Sequence, residues 1–195
     1  MTQINLRALG ITLGTPLFSD LDLSLDKGSR LGLVAANGRG KSTLLRAIAG
    51  SSEPTTGEIT RARGLRVGFL EQDAPEEFAA LSVHSVVTGG LDPEAAEYES
   101  WRADITLDDL NIPSDLHHAS FGALSGGWQR LVMLARVAVT EPDAILMDEP
   151  TNHLDLMRIG LLERWIAGQN RDMAMIIASH DRAFLDAVTN RTLFL

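Results

Sequence analysis

The sequence predicts an α/β fold: a mainly parallel central sheet with a small N-terminal antiparallel β-subdomain and a small α-helical subdomain. Short apolar segments such as AILM at residues 144–147 alternate along the chain with segments of helical periodicity. Strands that alternate with helices form parallel sheets, which bind ligands at the carboxyl ends of their strands. In addition, the glycine-containing loop AANGRGKS lies between a predicted strand and a predicted helix.

Most of the predicted β-structure lies in the first 70 residues. Alternating apolar and polar side chains indicate two short strands joined by a turn, and a more buried third strand follows them. A helix then begins at the lysine of the glycine-containing loop and ends at a glycine. In chain order, these segments are strands at residues 4–9, 21–25 and 29–34, a helix at 41–49, and a hairpin of two strands at 57–61 and 66–70.

The second half of the chain predicts the helical subdomain and the remaining strands. Between residues 75 and 121 the composition becomes acidic and helical, so we place the subdomain at about residues 75–123. A largely apolar helix follows the stretch LSGGWQR. The last predicted elements are a strand at residues 144–147, a helix at 157–167 and a strand at 173–179.

Composition limits the kind of protein. Of the 195 residues, 45% are hydrophobic and 22% are charged, so one globular domain with a core is expected. There is no cysteine, which excludes disulfides and thiolate metal sites and fits a reducing cytoplasm. The first ten residues lack a signal-peptide pattern, and no segment approaches the roughly 20 apolar residues that span a bilayer. We therefore predict a cytoplasmic location without a membrane-spanning segment.

Charge and the chain end bear on possible partners. The net charge of −9 means that the domain as a whole repels phosphate backbones. Contact with nucleic acid would therefore need a local patch or further chain. The sequence ends with RTLFL, inside an apparent strand and without a polar tail, so we expect it to be part of a longer protein.

The loop AANGRGKST has the pattern of a phosphate-binding loop. Gly38 and Gly40 let the backbone curl, so that successive N–H groups converge on phosphate oxygens. Lys41 is placed to reach the β- and γ-phosphates, and the Ser42 hydroxyl to bind Mg²⁺. Ala35 stands where the pattern has its first glycine, which costs little at negative φ and strains the loop otherwise. The alternative, a simple glycine turn, does not explain the Lys-Ser-Thr ending.

Polar residues follow two buried strands and end a third. Asp148 and Glu149, at the end of ILMDE, suit an acid that holds Mg²⁺ and a base that activates water, although they could also only end the strand. His180 follows another buried strand and could bond a γ-phosphate oxygen and the attacking water. Gln72 ends a strand before the helical region and could touch Mg²⁺ or that water. His117, in contrast, is expected on a solvated loop.

The stretch LSGGWQR, at residues 124–130, permits two interpretations. In the simpler one, Gly126 and Gly127 form a turn and Ser125 caps the helix that follows. In the other, a loop with few bulky side chains lets backbone amides close on an anion. No acid, base or nucleophile accompanies it in a working arrangement.

Taken in order, these motifs resemble an ATP-binding cassette (ABC) domain over nearly the whole chain. The motifs are AANGRGKST, Gln72, LSGGWQR, ILMDEP, TNHLD and SHDR. The wording DEPTNHLD, then ASHDRAFLDAV, with tryptophan after LSGG, is similar to the ABC-F subfamily. That resemblance implies one nucleotide-binding domain over residues 1–195, the first of two cassettes in a longer chain.

The resemblance also implies the site. Glu149 would be the catalytic base, His180 the switch histidine and Gln72 a catalytic residue that also contacts Mg²⁺, together with Ser42 and Asp148. Asp155 would belong to the loop that communicates across a dimer. The residues expected to contact ATP, directly or in a second cassette, are Asn37, Gly38, Arg39, Gly40, Lys41, Ser42, Thr43, Ser125, Gly126, Gly127 and Asp155.

Three departures from the family pattern qualify this transfer. Ala35 replaces a glycine, and Leu13 occupies the position where cassettes often stack an aromatic ring on adenine. The segment between Gln72 and Leu124 is short and holds no long basic helical hairpin of the kind that contacts the ribosome in many ABC-F proteins. The phosphate-binding prediction is independent of the last two points.

Three functions compete at this stage. The first is an ABC-F ATPase cassette that pairs with a second cassette, in the same chain or as a homodimer, and acts on a cytoplasmic target such as the ribosome. The second is the ATPase subunit of a membrane transporter, which TNHLD and Trp128 disfavour. The third is a nucleotide-binding module without hydrolysis, which intact Lys41, Glu149 and His180 disfavour.

Overall fold

The computed structural model describes residues 1–36 and 38–195 and divides into two compact units. The first unit combines three segments, Met1–Phe69, Pro142–Pro150 and Asn170–Leu195. The second combines Leu70–Glu141 and Thr151–Gln169. Each unit therefore assembles from stretches that are distant in sequence.

An antiparallel sheet forms the N-terminal part of the first unit. Strands β1 (Thr2–Leu13) and β2 (Thr15–Asp26) are joined at Gly14, whose φ of +70° suits glycine. Strand β4 (Thr56–Arg61) pairs with the other edge of β1, which gives the order β2-β1-β4. The two predicted short strands are thus parts of two twelve-residue strands that form a hairpin, and bulges that sequence alternation does not reveal interrupt their pairing.

A five-stranded sheet in the order β5-β6-β7-β3-β8 forms the rest of the first unit. The pairings of β3 with β7, β3 with β8, and β6 with β7 are parallel. Helices α1 (Lys41–Ala49) and α7 (Arg182–Val188) belong to the same unit. The strands are β3 (Arg30–Val34), β5 (Val67–Leu70), β6 (Ala144–Asp148), β7 (Ala174–Ala178) and β8 (Arg191–Phe194).

The core of the first unit packs both sheets against α1. Leu44, Leu45 and Ile48 place the apolar face of α1 in this core, where each is at most 1% exposed. All five residues of β6 and of β7 are buried, as expected for central strands of a parallel sheet. This packing fixes the carboxyl ends of β3, β6 and β7 side by side, so the residues after these strands are brought together.

The predicted hairpin of residues 57–61 and 66–70 is wrong. Both strands exist, but β4 lies in the antiparallel sheet and β5 at the edge of the five-stranded sheet. A bond between Arg66 N and the Asp143 carboxylate (2.9 Å) joins the start of β5 to the chain just before β6. A short connection between two strands favours a hairpin, but the pairing partners are distant in sequence and were not visible in the pattern.

The second unit is helical. Its helices are α2 (Val83–Thr88), α3 (Pro93–Tyr98), α4 (Trp101–Asp109), α5 (Gly126–Ala138) and α6 (Leu156–Gly168). Ser82, Asp92 and Asp155 cap α2, α3 and α6 by accepting a bond from a backbone N–H in the first turn. These sheets and helices confirm the predicted α/β fold class.

One local prediction in this unit fails. His117 is only 6% exposed, and its Nε2 lies 3.0 Å from the Ile112 carbonyl oxygen, whereas a solvated loop was expected. The carboxylates of Asp104 and Asp108 lie 3.7 and 3.9 Å from its ring nitrogens. The burial follows from tertiary packing, because the surrounding sequence is polar and gives no local signal.

Candidate functional site

The loop between β3 and α1 has the backbone that a phosphate loop requires. Gly38 and Gly40 have φ of +76° and +91°, a region that favours glycine. Gly40 also lacks room for a side chain, because an added Cβ would lie 3.0 Å from Leu17 Cδ1 and 3.3 Å from a ring carbon of Phe18. Ala35 is not among the described residues with positive φ, so alanine causes no backbone strain there. Asn37, a predicted site residue, lies outside the described residues.

Helix α1 offers uncapped amides at its N-terminus. Its N-cap is Gly40, which has no side chain to accept a bond from the first turn. Ser42 and Thr43, both half-buried, occupy that turn directly after Lys41. Backbone N–H groups and the positive end of the helix dipole favour an anion at this position. Arg39, in contrast, is exposed.

Three predicted site residues from distant parts of the sequence meet beside this loop. Lys41 Nζ lies 2.9 Å from Glu149 Oε1, and the two side chains are each 9% exposed. The second oxygen, Glu149 Oε2, is 2.8 Å from His180 Nδ1 and accepts a bond from the His180 backbone N–H at 3.2 Å. Lys41 Nζ also donates to the Ala35 carbonyl at 3.3 Å. All four residues belong to the first unit.

Glu149 is held from both its backbone and its side chain. It follows directly after β6, has a φ of +48°, and donates its backbone N–H to the Ala178 carbonyl at the end of β7 (2.8 Å). Burial by itself raises the pKa of the Glu149 carboxyl, but the hydrogen bonds and charges of Lys41 and His180 together hold that pKa below its ordinary value. Glu149 is therefore ionised at neutral pH.

The donor set next to Lys41 and Glu149 fits a hard cation. Asp148 is the last residue of β6 and only 2% exposed, and Ser42 is the second residue of α1. Carboxylate and hydroxyl oxygens are the ligands Mg²⁺ prefers, usually with one or two from the protein and the rest from phosphates and water. Gln72, the third predicted Mg²⁺ contact, belongs to the second unit.

The LSGG segment begins helix α5 in the second unit. Ser125 is its N-cap residue by position, yet its side chain makes no capping hydrogen bond, contrary to the simpler interpretation of this stretch. Ser125 and Gly126 are exposed, whereas Gly127 is buried. An exposed hydroxyl next to uncapped amides supports the interpretation as an anion-binding loop.

Two other loops of the second unit border this segment. Gln72 is exposed and its carbonyl accepts a bond from Arg130 Nη1 at 2.9 Å. An added Cβ on Gly126 would lie 3.3 Å from His153 Cβ, which places the loop before α6 against the glycines. A cavity of about 230 Å³ is lined by Gln72, Asp73, Ala74, Gly126, Gln129, Arg130, Met133 and His153.

The structure thus divides the predicted site residues between its units. Lys41, Ser42, Asp148, Glu149 and His180 lie in the first, with the glycine-containing loop. The second contains Gln72, Ser125, Gly126, Gly127 and Asp155.

Two contacts were missed at the level of sequence. Phe18 of β2 lies against the phosphate loop, although the sequence offered only Leu13, which is 64% exposed. Arg158 of α6 stacks on Trp128 and pairs with Asp155, and its position three residues after a capping aspartate was the only available signal. Both arise from packing between separate elements.

Comparison with known proteins identifies a family. The family described as ABC transporter matches residues 18–152. ATP-binding protein Uup of Caulobacter vibrioides is 40% identical over 92% of this chain, which covers 28% of that protein. ABC transporter F family member 5 of Arabidopsis thaliana is 31% identical over 91% of this chain, which covers 31% of that protein. Elongation factor 3 of Phytophthora infestans is 34% identical over 90% of this chain, which covers 16% of that protein. The chain therefore spans less than two fifths of these relatives.

Solved structures agree on the fold. A metal-chelate type ABC transporter in an inward-facing conformation aligns over 100% of this chain and 80% of its own, with a TM-score of 0.87 and 30% identity. The dimeric ATP-binding cassette MJ0796, in a post-hydrolysis state with ADP and Pi, aligns over 98% of this chain and 94% of its own, with a TM-score of 0.80 and 22% identity. Within residues 1–36 and 38–195, no helix is both long and apolar enough to cross a membrane.

Proposed function

Because this chain belongs to the ABC transporter family, and its resemblance to ABC-F members is confirmed, we propose that it binds and hydrolyses ATP as one half of a pair of cassettes. The observation that carries the proposal is the meeting of Lys41, Glu149 and His180 within 3 Å contacts beside the phosphate loop. These residues come from three separate motifs, and an isolated glycine turn would not require them to converge.

Phosphate binding would exchange partners within this group. The amides of α1 and the Lys41 ammonium would hold the β- and γ-phosphates. Lys41 is paired with Glu149, so an incoming phosphate would compete with the carboxylate for the ammonium. The carboxylate released in this way would accept a proton from the attacking water, and His180 would orient that water and a γ-phosphate oxygen.

Mg²⁺ would be held by Ser42 and Asp148, with Gln72 as a further predicted contact, and would neutralise charge on the phosphates. Glu149 is assigned to water rather than to Mg²⁺, because its Oε2 is held by the ring and the backbone N–H of His180.

A second cassette would complete the site. Ser125 and the Gly127 amide would cover the γ-phosphate of ATP held by that cassette and stabilise developing negative charge. The dimeric form of the related MJ0796 cassette supports this arrangement, and the greater length of the relatives supports a second cassette in the same chain. A homodimer is the alternative.

We propose a role in translation, with the ribosome as target. It rests on the similarity to elongation factor 3 and on the resemblance to the ABC-F subfamily, several members of which act on the ribosome. A transporter ATPase subunit remains the second candidate, favoured by the 30% identity to a transporter of metal-chelate type. Sedimentation with purified ribosomes separates the two: the Glu149→Gln variant with ATP should pellet with ribosomes and should remain in the supernatant with ADP. Equal amounts in both pellets would contradict a switched ribosome contact.

The substitution Glu149→Gln tests the enzymatic part. The variant should still bind ATP, but its turnover should fall by a factor of about 10² or more because the base is lost. ATP should therefore trap it as a dimer. Steady-state phosphate release and sedimentation velocity provide the measurements. Glu97→Gln, at an exposed carboxylate on α3, is the matched control and should behave as the parent. Unchanged turnover in Glu149→Gln would remove Glu149 from the base role.

A further inference from the structure

Trp128 directly follows the LSGG residues, and its presence there is one of the features that resemble the ABC-F subfamily. None of the steps proposed above uses its side chain. In the structure its ring faces the guanidinium of Arg158, whose Cζ lies 4.4 Å from the ring centroid. This distance is typical of a cation–π contact. Both residues belong to the second unit, Trp128 on α5 and Arg158 on α6.

The same guanidinium pairs with Asp155. Arg158 Nη1 donates to Asp155 Oδ2, and the Arg158 backbone N–H donates to Asp155 Oδ1 at 2.8 Å. The Arg158 side chain is 16% exposed, whereas that of Asp155 is 54% exposed. Arg158 is therefore the half-buried middle member of a row, Trp128–Arg158–Asp155, that ends at an accessible carboxylate.

The loops at the two ends of this row also fit closely against each other. An added Cβ on Gly127 would lie 2.9 Å from the His153 carbonyl oxygen and 3.0 Å from Arg158 Cδ. His153 has a φ of +66°, a conformation that side chains rarely adopt, so the surrounding contacts must hold it. The LSGG segment and the loop before α6 consequently pack as one surface.

We infer that Arg158 is a positioning residue that makes the LSGG segment and Asp155 move together when two cassettes meet. This inference rests on the proposed function, in which Ser125 and Gly127 cover ATP on the second cassette and Asp155 communicates with that cassette. When the LSGG segment meets the second cassette, Arg158 would hold Asp155 in the position from which it also contacts that cassette. A guanidinium suits this role because its planar face stacks on a ring while its N–H groups donate to a carboxylate. An ammonium has no such planar face.

The test measures ATP-driven dimerisation by sedimentation velocity, with Glu149→Gln as the parent. Arg158→Met should raise the protein concentration needed for dimerisation about tenfold, because one cation–π contact and one charged hydrogen bond are lost. Arg158→Lys should behave like Arg158→Met, since charge alone does not restore the geometry. ADP binding, which needs no second cassette, should stay at the parental value. The matched control is Arg164→Met, at an exposed arginine on the same helix.

The position of Trp128 supplies a second measurement. Trp128→Phe keeps an aromatic face and should retain most of the dimerisation, whereas Trp128→Leu should weaken it, though by less than Arg158→Met, which also loses the bond to Asp155. The double variant Trp128→Leu/Arg158→Met should be no worse than Arg158→Met alone, because the contact that Trp128→Leu removes is already absent there. Because the Trp128 variants leave Arg158 intact, they decide the matter if Arg158→Met does not fold.

Two results would overturn the inference while leaving the proposed function in place. One is a double variant whose loss of dimerisation equals the sum of the two single losses, and the other is Arg158→Met that dimerises as well as the parent. A parent that binds ATP but does not dimerise at any concentration would instead overturn the proposed pairing of cassettes, and this inference with it.

Discussion

The two units present different kinds of surface to a nucleotide. In the first, the ionisable groups pair with each other: Lys41 and Glu149 are both 9% exposed and lie 2.9 Å apart. In the second, Ser125, Gly126 and Gly127 carry no ionisable side chain, and the nearby charges of Asp155 and Arg158 neutralise each other. We therefore propose that the first unit holds most of the groups for hydrolysis and that the LSGG segment of the second makes contact with another cassette.

This difference predicts two classes of variant. A change at Lys41 in the first unit should alter nucleotide binding by a single cassette, because the loop amides and Lys41 are proposed to hold the phosphates. A change in the LSGG segment of the second unit should leave that binding intact and alter only the association of two cassettes.

Lys41→Met should give the largest effect. It removes the ammonium that we propose to bind phosphate and leaves the buried Glu149 carboxylate without its Lys41 partner, so the free energy of unfolding should fall by about 3–5 kcal/mol. ATP and ADP binding should be lost as well. Urea unfolding and nucleotide titration provide the measurements. The double variant Lys41→Met/Glu149→Gln should regain most of the stability but not the binding; a double variant as unstable as the single one would contradict the buried pair.

Gly127→Ala should have an intermediate effect, confined to association. The added methyl would meet the His153 carbonyl oxygen at 2.9 Å, and such overpacking costs about 1–3 kcal/mol, which is about 5- to 150-fold in dimerisation. ADP binding should not change. Gly168→Ala, at a helical glycine of the same unit with nothing within 4 Å of the added Cβ, is the control. Weaker ADP binding in Gly127→Ala would break the separation between the units.

The pH dependence of stability should show the smallest effect. Lys41 and His180 hold the pKa of Glu149 below its ordinary value despite burial, so the folded state binds this proton less well than the unfolded chain does. The stability from the ionised carboxylate is then present above the ordinary pKa of about 4.5 and is lost as pH falls through the lower folded value. Unfolding curves of the parent and Glu149→Gln should differ at neutral pH and converge in acid. A difference that grows in acid would contradict the lowered pKa.

The sequence predicted individual helices and strands better than it predicted which strands pair and which side chains are buried. Segments such as Lys41–Ala49 were placed because periodicity and a terminal glycine are local signals. The different sheets of β4 and β5 depend on pairings distant in sequence, and no local pattern encodes them. The same holds for buried His117.

For the site, the motifs predicted a set of residues, and the fold explains why some of them meet. Glu149 and His180 follow adjacent parallel strands, so their closeness was implied by the sheet type. The pairing of Lys41 with Glu149, and the stacking of Arg158 on Trp128, depend on side-chain directions that spacing does not give. The roles assigned to these residues stay predictions until the variants are measured.

The positive φ of Glu149 has a consequence for sequence drift. At +48° the backbone accepts glycine and asparagine readily, unbranched side chains at some cost, and valine or isoleucine only with severe strain. A lineage that gives up hydrolysis at this position is therefore expected to pass to glutamine, asparagine or glycine and to avoid β-branched residues. Among related chains, a valine there would indicate a rebuilt strand end rather than a silenced base.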